Sequence, residues 1–227
     1  MKYINKDIRS EPATLNIYRN TTPDASYNGF VDTYGLLKRA LLTEQGFLCG
    51  YCMKLIPYAD GRFTSVEHYI SQKKHENSNY TLVQHKTHSL RYNNMLAVCK
   101  NNGKHCDESR GNIPFKILNP HNKICETHIK YTLSGKIESR NNPLVDFDIE
   151  ILKLNCQSLK DLRSEFWETA KNKLITKHPK GTWSKNIIEL ERQHYIERQS
   201  GKHRAFCNYI IFRFNHLLSL PKYQQNN

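Results

Sequence analysis

The feature that most constrains the fold of this chain is a set of four cysteines arranged in two pairs. Cys49 and Cys52 form a Cys-x-x-Cys pair, and Cys99 and Cys106 form a second, wider pair. Two such pairs are typical of tetrahedral zinc sites in which four thiolates complete the coordination of the metal. We therefore expect a structural zinc ion that ties the two ends of segment 49–106 together.

Two alternatives stay open for this site. Cys99 ends the apolar segment 95–99, where a cysteine can also serve as a small buried apolar residue. His105 directly precedes Cys106 and could replace it as a zinc ligand. The remaining cysteines stand alone in the sequence, at Cys125, Cys156 and Cys207.

The cysteines are interpreted as metal ligands because the chain lacks the marks of an exported protein. The start, from Met1 to Asp7, has no signal-peptide core, and no apolar run approaches the roughly 20 residues of a membrane helix. Outside oxidising compartments, thiols serve in metal or redox sites more often than in disulfides. We expect a cytoplasmic protein that does not contact a membrane.

The charge balance points to a polyanionic partner. The 227 residues include 34 Lys and Arg against 21 Asp and Glu, which gives a formal charge of +13. This excess is spread along the chain and does not form a basic tail. The pattern favours a folded surface that contacts the phosphates of nucleic acid, and a merely basic soluble protein is the alternative.

The order of elements predicts an α+β chain in three parts. Residues 1–30 are expected to be an irregular N-terminal arm without chemistry, residues 31–118 the metal-bearing core, and residues 119–227 a β-hairpin and a helical C-terminal region. The core is predicted to contain a helix over 31–45 and strands over 63–70 and 95–98, joined by a polar stretch from 71 to 94.

In the C-terminal part, the pattern predicts a hairpin that turns at Ser134-Gly135, followed by three helices. Ser158 and Asp161 resemble a capping box at the start of the first helix. Two apolar stripes were identified, Leu159, Leu162, Phe166, Ala170 and Leu174 in the first helix and Phe206, Ile210, Phe214, Leu217 and Leu218 in the last. We expect these stripes to leave a face for a protein partner.

Four polar residues follow the cysteine pattern in a fixed order. Glu67-His68 comes after the first pair, Asn94 lies shortly before the second pair, and Asp107 comes directly after it. The order resembles that of zinc-containing HNH endonucleases, which carry Cys-x-x-Cys, Asp-His, Asn-Leu-x-x-x-Cys and a final Cys at the head of a helix.

The resemblance implies a zinc-stapled ββα-metal (HNH) nuclease core that hydrolyses phosphodiester bonds. Such hydrolysis needs a base that deprotonates water and a divalent cation that stabilises charge on the phosphate. By resemblance, the catalytic set is His68 as the base, Asn94 as the residue that orients its loop, and Asp107 at the last position of the motif. Glu67 and Asp107 would bind Mg²⁺ or another divalent cation, which prefers oxygen ligands.

Longer segments look like one branch of this family, the PtuB nuclease subunits of Septu-type and retron-associated anti-phage systems. These segments are Leu48-Cys-Gly-Tyr-Cys-Met53, Val66-Glu-His-Tyr-Ile-Ser-Gln72, Tyr92-Asn-Asn-Met-Leu-Ala-Val-Cys99 and His105-Cys-Asp-Glu-Ser-Arg-Gly-Asn112. The Glu-His pair and the wide second cysteine pair are usual in that branch. The resemblance implies a partner ATPase of the PtuA type, which can stand within a retron complex, and a nucleic-acid substrate, with DNA expected ahead of RNA.

A second function class uses the same cysteines. A non-catalytic zinc module could bind nucleic acid or protein without Glu67, His68, Asn94 and Asp107 in this order. Arg110, in the same segment, is a candidate for either phosphate binding or plain surface charge.

Overall fold

A computed structural model describes residues 1–57, 59, 61–179 and 183–224 of the chain. The helices and strands, in chain order, are α1 (Ala13–Thr21), α2 (Leu36–Glu44), β1 (Thr64–His68), α3 (Leu82–Ser89), β2 (Met95–Cys99), α4 (Asp107–Arg110), β3 (Ile129–Tyr131), β4 (Ile137–Ser139), α5 (Pro143–Ile151), α6 (Gln157–Lys177), α7 (Lys185–Ile196), α8 (Cys207–Leu218) and α9 (Pro221–Gln224). The fold is α+β, as predicted, with two small antiparallel sheets among many helices.

The first sheet brings the two halves of the cysteine pattern together. Strands β1 and β2 pair antiparallel, with Thr64 opposite Cys99 and His68 opposite Met95. All five residues of β2 are buried, which fits a short apolar strand at the centre of a core. Both predicted strands are confirmed, and their pairing places His68 near the residues that precede β2.

Helix α2 lies against this sheet and is tied to it by a buried glutamine. The amide nitrogen of Gln45 donates to the carbonyls of Leu48 and Ala97, at 2.7 and 2.8 Å, and its oxygen accepts from the Ala97 N–H at 2.7 Å. The helix begins at Leu36, later than predicted, because Tyr34 has a positive φ of 56° that no α-helix contains. The predicted stop at Gly46 is confirmed.

The N-terminal segment departs from the prediction of an irregular arm. It contains helix α1, whose residue Leu15 is fully buried, and it starts with Met1 and Ile4 in the core. The Ile4 N–H donates to the carbonyl of Pro120 at 2.8 Å. Pro12 stands directly before α1, a place where its missing N–H costs no helical hydrogen bond.

The polar stretch between β1 and β2 also contains a helix that the sequence analysis did not predict. Helix α3 begins with a capping box in which Thr81 accepts from the Gln84 N–H and Gln84 accepts from the Thr81 N–H. Its polar composition gives no apolar stripe, so hydrophobic periodicity could not reveal it.

The hairpin formed by β3 and β4 is confirmed, and the first long helix buries Leu159, Ala170 and Leu174 of its predicted apolar stripe but not the whole of it. Helix α6 buries Arg163 and Trp167, while Phe166 is 38% exposed. Arg163 donates to the carbonyls of Gly135 and Leu154, both at 2.8 Å, and these contacts let a cation occupy the inner face. The expected capping box is wrong, because α6 starts at Gln157 without a side-chain cap.

The C-terminal region packs against the core, and the predicted apolar stripes are largely used within the chain. Phe206, Ile210 and Phe214 are fully buried, and the Phe206 N–H donates to the carbonyl of Met53 at 3.0 Å. Much of the apolar surface that favoured a docking face is therefore covered by the fold itself. Over the described residues, none of the helices combines the length and the apolar character needed to cross a membrane.

Candidate metal centre and catalytic cleft

The four cysteines of the predicted zinc site converge in one buried cluster. Their Sγ atoms all lie within 4.8 Å of one another, with Cys49 3.8 Å from Cys106 and Cys52 3.7 Å from Cys99. A tetrahedral zinc ion with Zn–S bonds of about 2.3 Å would hold its sulfur atoms about 3.8 Å apart. The four side chains therefore suit a metal such as zinc.

The cluster is held by strained backbone and by N–H groups that face the sulfur atoms. Cys106 and Met53 have positive φ angles of 62° and 64°, which side-chain-bearing residues adopt only where the surroundings enforce them. The Cys106 N–H donates to the carbonyl of Leu152 at 2.8 Å. Burial and the neighbouring sulfurs raise the pKa of Cys106 above its ordinary value, so four thiolates need a cation among them.

His105 lies beside the cluster, and Cys106 keeps its place among the four sulfurs. The Nδ1 atom of His105 is 3.1 Å from Cys106 Sγ and 4.0 Å from Cys99 Sγ. The Lys54 N–H points at Cys52 Sγ from 3.5 Å. Such neighbours orient metal ligands and stabilise their charge. The geometry therefore favours the four-cysteine set over one in which His105 replaces Cys106.

Most of the predicted catalytic residues line an open cleft at the end of β1. The cleft has a volume of about 400 Å³ and is lined by Glu67, His68 and Asp107. The N-terminal segment supplies Tyr27 to its wall, and α3 supplies Lys86. The pairing of β1 with β2 and the start of α4 thus bring Asp107 beside the adjacent Glu67 and His68, which lie 40 and 39 residues before it in the sequence.

His68 is held in one ring orientation by two hydrogen bonds. Its Nε2 lies 2.9 Å from the Ser89 carbonyl, which can only accept, so Nε2 carries the proton and the lone pair is on Nδ1. The amide nitrogen of Gln72 approaches that lone pair at 3.2 Å. Burial lowers the pKa of His68 to about 4, so the ring is neutral at pH 7.

Glu67 is a buried carboxylate with partners on both of its oxygens. Oε1 accepts from the Tyr51 hydroxyl at 2.9 Å and from the Arg110 guanidinium, and Oε2 accepts from the His68 N–H at 3.0 Å. Burial raises the pKa of Glu67 above its ordinary value, the Arg110 guanidinium opposes this rise, and the nearby Asp107 carboxylate adds to it. The carboxyl groups of Glu67 and Asp107 are therefore close enough for their negative charges to repel each other in the cleft.

This arrangement fits a divalent cation in its donor chemistry. Mg²⁺ keeps most of its waters and needs only one or two protein carboxylates, and Glu67 and Asp107 are two carboxylic side chains that line this cleft. Among the described residues, the four cysteines are the one group of three or more His, Cys, Asp or Glu side chains with ligand atoms this close together. Glu67, His68 and Asp107 thus share the cleft without forming a compact set of three ligands.

Asn94 lies behind the cleft and binds backbone only. Its Oδ1 accepts from the Ile70 N–H at 2.7 Å, and its Nδ2 donates to the carbonyls of Ile70 and His88 at 2.9 and 3.0 Å. These bonds fix the residues that follow His68 to the end of α3. Asn94 therefore positions the backbone that follows His68 and does not itself line the cleft.

Several residues of the site carried no recognised signal in the sequence. The ring of Tyr27 meets the ring of His68 nearly edge-on, with centroids 4.5 Å apart, although no chemistry was expected in residues 1–30. Arg110, considered as a surface or phosphate-binding residue, is 1% exposed and paired with Glu67. Its spacing of three residues from Asp107, one helical turn, was the available clue.

Comparisons with known proteins do not assign a family to this chain. None of the protein-family models that were searched matches the sequence, and the search of curated proteins found no match.

Proposed function

We propose that this protein is a metal-dependent endonuclease of the HNH type that hydrolyses phosphodiester bonds of nucleic acid. The observation that carries the proposal is the placement of His68. Its protonated Nε2 is fixed on the Ser89 carbonyl, and its Nδ1 lone pair belongs to a ring that lines an open cleft shared with Asp107. A neutral imidazole with one fixed tautomer is suited to take a proton from water.

Each neighbouring side chain would have a defined part in this reaction. His68 would accept the proton of the attacking water at Nδ1, with Gln72 giving way to that water. Tyr27 would keep the imidazole from turning, because its ring packs edge-on against His68. Lys73 and Lys86, both exposed at the cleft, would hold the negative phosphates on either side. A divalent cation held by Glu67 and Asp107 would supply charge stabilisation to the phosphate.

The zinc ion would have a structural role in this proposal. All four cysteines are buried, and four thiolates leave no open coordination position for water. The zinc would then fix β2 and α4 relative to the Cys49–Cys52 turn, and through them the cleft that lies between β1 and α4.

The biological setting in the proposal comes from the sequence resemblance. A nuclease of this kind would act in the cytoplasm as the effector of a bacterial anti-phage system, together with an ATPase of the PtuA type. The net charge of +13 suits the nucleic-acid substrate.

One observation favours the rival function, a zinc module that binds nucleic acid without cutting it. The Glu67–Arg110 ion pair occupies a carboxylate that a catalytic cation would use. In that function the same ion pair would be purely structural, and no divalent cation would be needed.

Cleavage assays on the full-length, zinc-containing protein separate the two. We expect strand cleavage of at least one of double-stranded DNA, single-stranded DNA and RNA when Mg²⁺ is added, and none without it. His68→Ala should lower the cleavage rate by roughly 10²- to 10⁴-fold while binding is kept. His194→Ala, on the exposed side of α7, is the matched control and should cleave normally. Binding without Mg²⁺-dependent cleavage of any substrate would establish the rival function.

The cation site has its own test. Asp107→Ala should shift the Mg²⁺ concentration needed for half-maximal cleavage upward, because one of two carboxylate ligands is removed. Glu108→Ala changes an exposed neighbour and serves as the control. Superimposable Mg²⁺ titrations for Asp107→Ala and the wild type would remove Asp107 from the ligand set.

A further inference from the structure

A second, smaller pocket opens beside the cleft, and the proposed hydrolysis does not use it. Its volume is about 260 Å³, and Ser71 lines both this pocket and the cleft. Pockets for drug-sized ligands measure roughly 300–1,000 Å³, so this pocket suits a ligand of about one ring system. Tyr69, which directly follows His68, forms part of its wall.

The walls of this pocket are aromatic. The rings of Tyr69 and Phe115 stack with an angle of 3° between their planes and 5.3 Å between their centroids. Tyr80, 39% exposed, also lines the pocket and packs edge-on against His85, with 6.0 Å between the ring centroids. His85 is itself fixed, because its ring nitrogens contact the Ser71 carbonyl and the Ser78 hydroxyl. Rigid aromatic faces of this kind bind the flat faces of nucleobases.

The rim of the pocket is polar in a way that suits the edge of a base. Asn77 and Asn79 contribute side-chain amides, and neither amide hydrogen-bonds to another described residue. Each amide offers both donors and an acceptor, as the edge of a nucleobase does. Lys116 is exposed at the same rim and supplies a positive charge for a neighbouring phosphate.

We propose that this pocket binds one unpaired nucleobase of the strand whose phosphate is presented to His68. The proposal takes the class of its ligand from the proposed nuclease function. A base inside a duplex has both faces stacked and its edge paired, so it enters such a pocket only when it is unpaired or turned out of the helix. The preferred substrate class is therefore single-stranded nucleic acid, or a duplex with an unpaired base.

Fluorescence of 2-aminopurine tests the pocket apart from cleavage. The probes are short single-stranded DNA and RNA oligonucleotides in which one 2-aminopurine is moved through the sequence. They are bound to the full-length protein without added divalent cation. We expect the protein to quench the probe at one position of the strand, because the base stacks on aromatic rings there, and to leave the fluorescence unchanged when that base is already paired in a duplex. Comparison of the DNA and RNA probes shows which sugar the site prefers.

Variants of two exposed tyrosines make the test specific to the pocket. Tyr80→Ala should abolish the quenching and weaken binding by about 5- to 100-fold, the effect of losing one stacked base. Tyr34→Ala removes a tyrosine that is 87% exposed and does not line the pocket, and it should behave like the wild type. An abasic site at the quenched position should weaken wild-type binding as much as Tyr80→Ala does, with no further loss when the two are combined.

The outcomes for the pocket and for the nuclease are distinct. Absence of quenching at every position, or equal behaviour of Tyr80→Ala and Tyr34→Ala, overturns the pocket. So does a protein that binds none of the probes. Cleavage without Tyr80-dependent quenching refutes the pocket and keeps the nuclease. Quenching that depends on Tyr80, without any cleavage, keeps the pocket and refutes the nuclease.

Discussion

The four-cysteine cluster and the cleft at His68 belong to the same part of the chain but are built in different ways. The cluster is closed, since all four of its sulfurs are buried and face one another. The cleft is open and takes its walls from separate parts of the chain, including Tyr27 and Lys86. A closed set of ligands stabilises a fold, whereas an open set keeps polar groups available to a substrate. Substitutions in the two regions should therefore have different consequences.

The largest expected effect is the loss of the fold when one cysteine is removed. Cys52→Ala should abolish zinc binding and cooperative unfolding, because a structural zinc contributes about 10–16 kcal/mol, as much as the whole stability of a domain. Metal analysis and thermal unfolding of the purified protein measure this. Cys156→Ala, a half-buried cysteine outside the cluster, should keep both properties. Full zinc content and an unchanged melting temperature in Cys52→Ala would contradict the assignment.

A smaller effect is expected from Arg110 in the cleft. Arg110→Met should lower the free energy of unfolding by about 3–5 kcal/mol, because it leaves the buried Glu67 carboxylate without its cation. Zinc content should stay the same, which separates this loss from that of a cysteine. Denaturant unfolding and metal analysis on one preparation provide both values.

The double variant Arg110→Met with Glu67→Gln serves as the control for charge. It removes both partners and should recover much of the lost stability, because no unpaired charge stays buried. If the double variant were less stable than Arg110→Met alone, the ion pair would not be the source of the effect.

Substitution of Asn94 should cause an intermediate loss of stability and, because Asn94 supports His68, a loss of activity. Asn94→Ala removes the side chain that binds the backbone of Ile70 and His88, and the free energy of unfolding should fall by about 1–3 kcal/mol. We expect kcat to fall with little change in KM, since His68 loses its support and the substrate surface is kept. Asn93→Ala, an exposed neighbour, is the control. A change in KM alone would indicate that Asn94 contacts substrate.

The smallest expected effect is a loss of stability at acidic pH. It arises where the C-terminal region meets the core, at a seam formed by His203 and Gly46. His203 donates its N–H to the Gly46 carbonyl, and its ring accepts from Arg198 at 3.1 Å. Burial lowers the pKa of His203 from 6.5 to about 4, so the unfolded chain binds more protons than the folded one between these values. Stability should fall as the pH decreases from about 6.5 towards 4, by on the order of 1 kcal/mol, because solvent near the seam screens part of the charge.

Unfolding measured across this pH range tests the seam directly. His203→Gln retains an acceptor for Arg198 and cannot be protonated, so it should reduce the pH dependence by the share that His203 contributes, while His68, whose pKa is also lowered, keeps its own share. His128→Gln replaces a half-buried histidine elsewhere and should leave the dependence as it is in the wild type. If His203→Gln and the wild type lost stability in parallel, the acid sensitivity would belong to other groups.

The sequence was most informative where a structure depends on local pattern. Strands β1 and β2, the stop after α2 and the β3–β4 hairpin all follow from apolar runs and turn residues. Helices α1 and α3 were missed, since the first begins after a proline and the second buries the polar residues His85 and Ser89 while its apolar Leu82 and Val83 are exposed. A local pattern predicts a helix or strand only when the buried positions of that element are occupied by apolar residues at a regular spacing.

The sequence by itself determined which four cysteines would cluster, because the paired spacing of Cys49, Cys52, Cys99 and Cys106 is typical of metal sites, and the structure brings their sulfur atoms together. It also placed Glu67, His68 and Asp107 in order along the chain. Only the tertiary structure decided that Arg110 pairs with Glu67 and that Tyr27 packs on His68. Those contacts join residues that are 43 positions apart for the ion pair and 41 positions apart for the two rings. A contact between common residue types that are distant in the sequence has no characteristic spacing that would reveal it. The packing of the helices and strands against one another decides which of these residues meet.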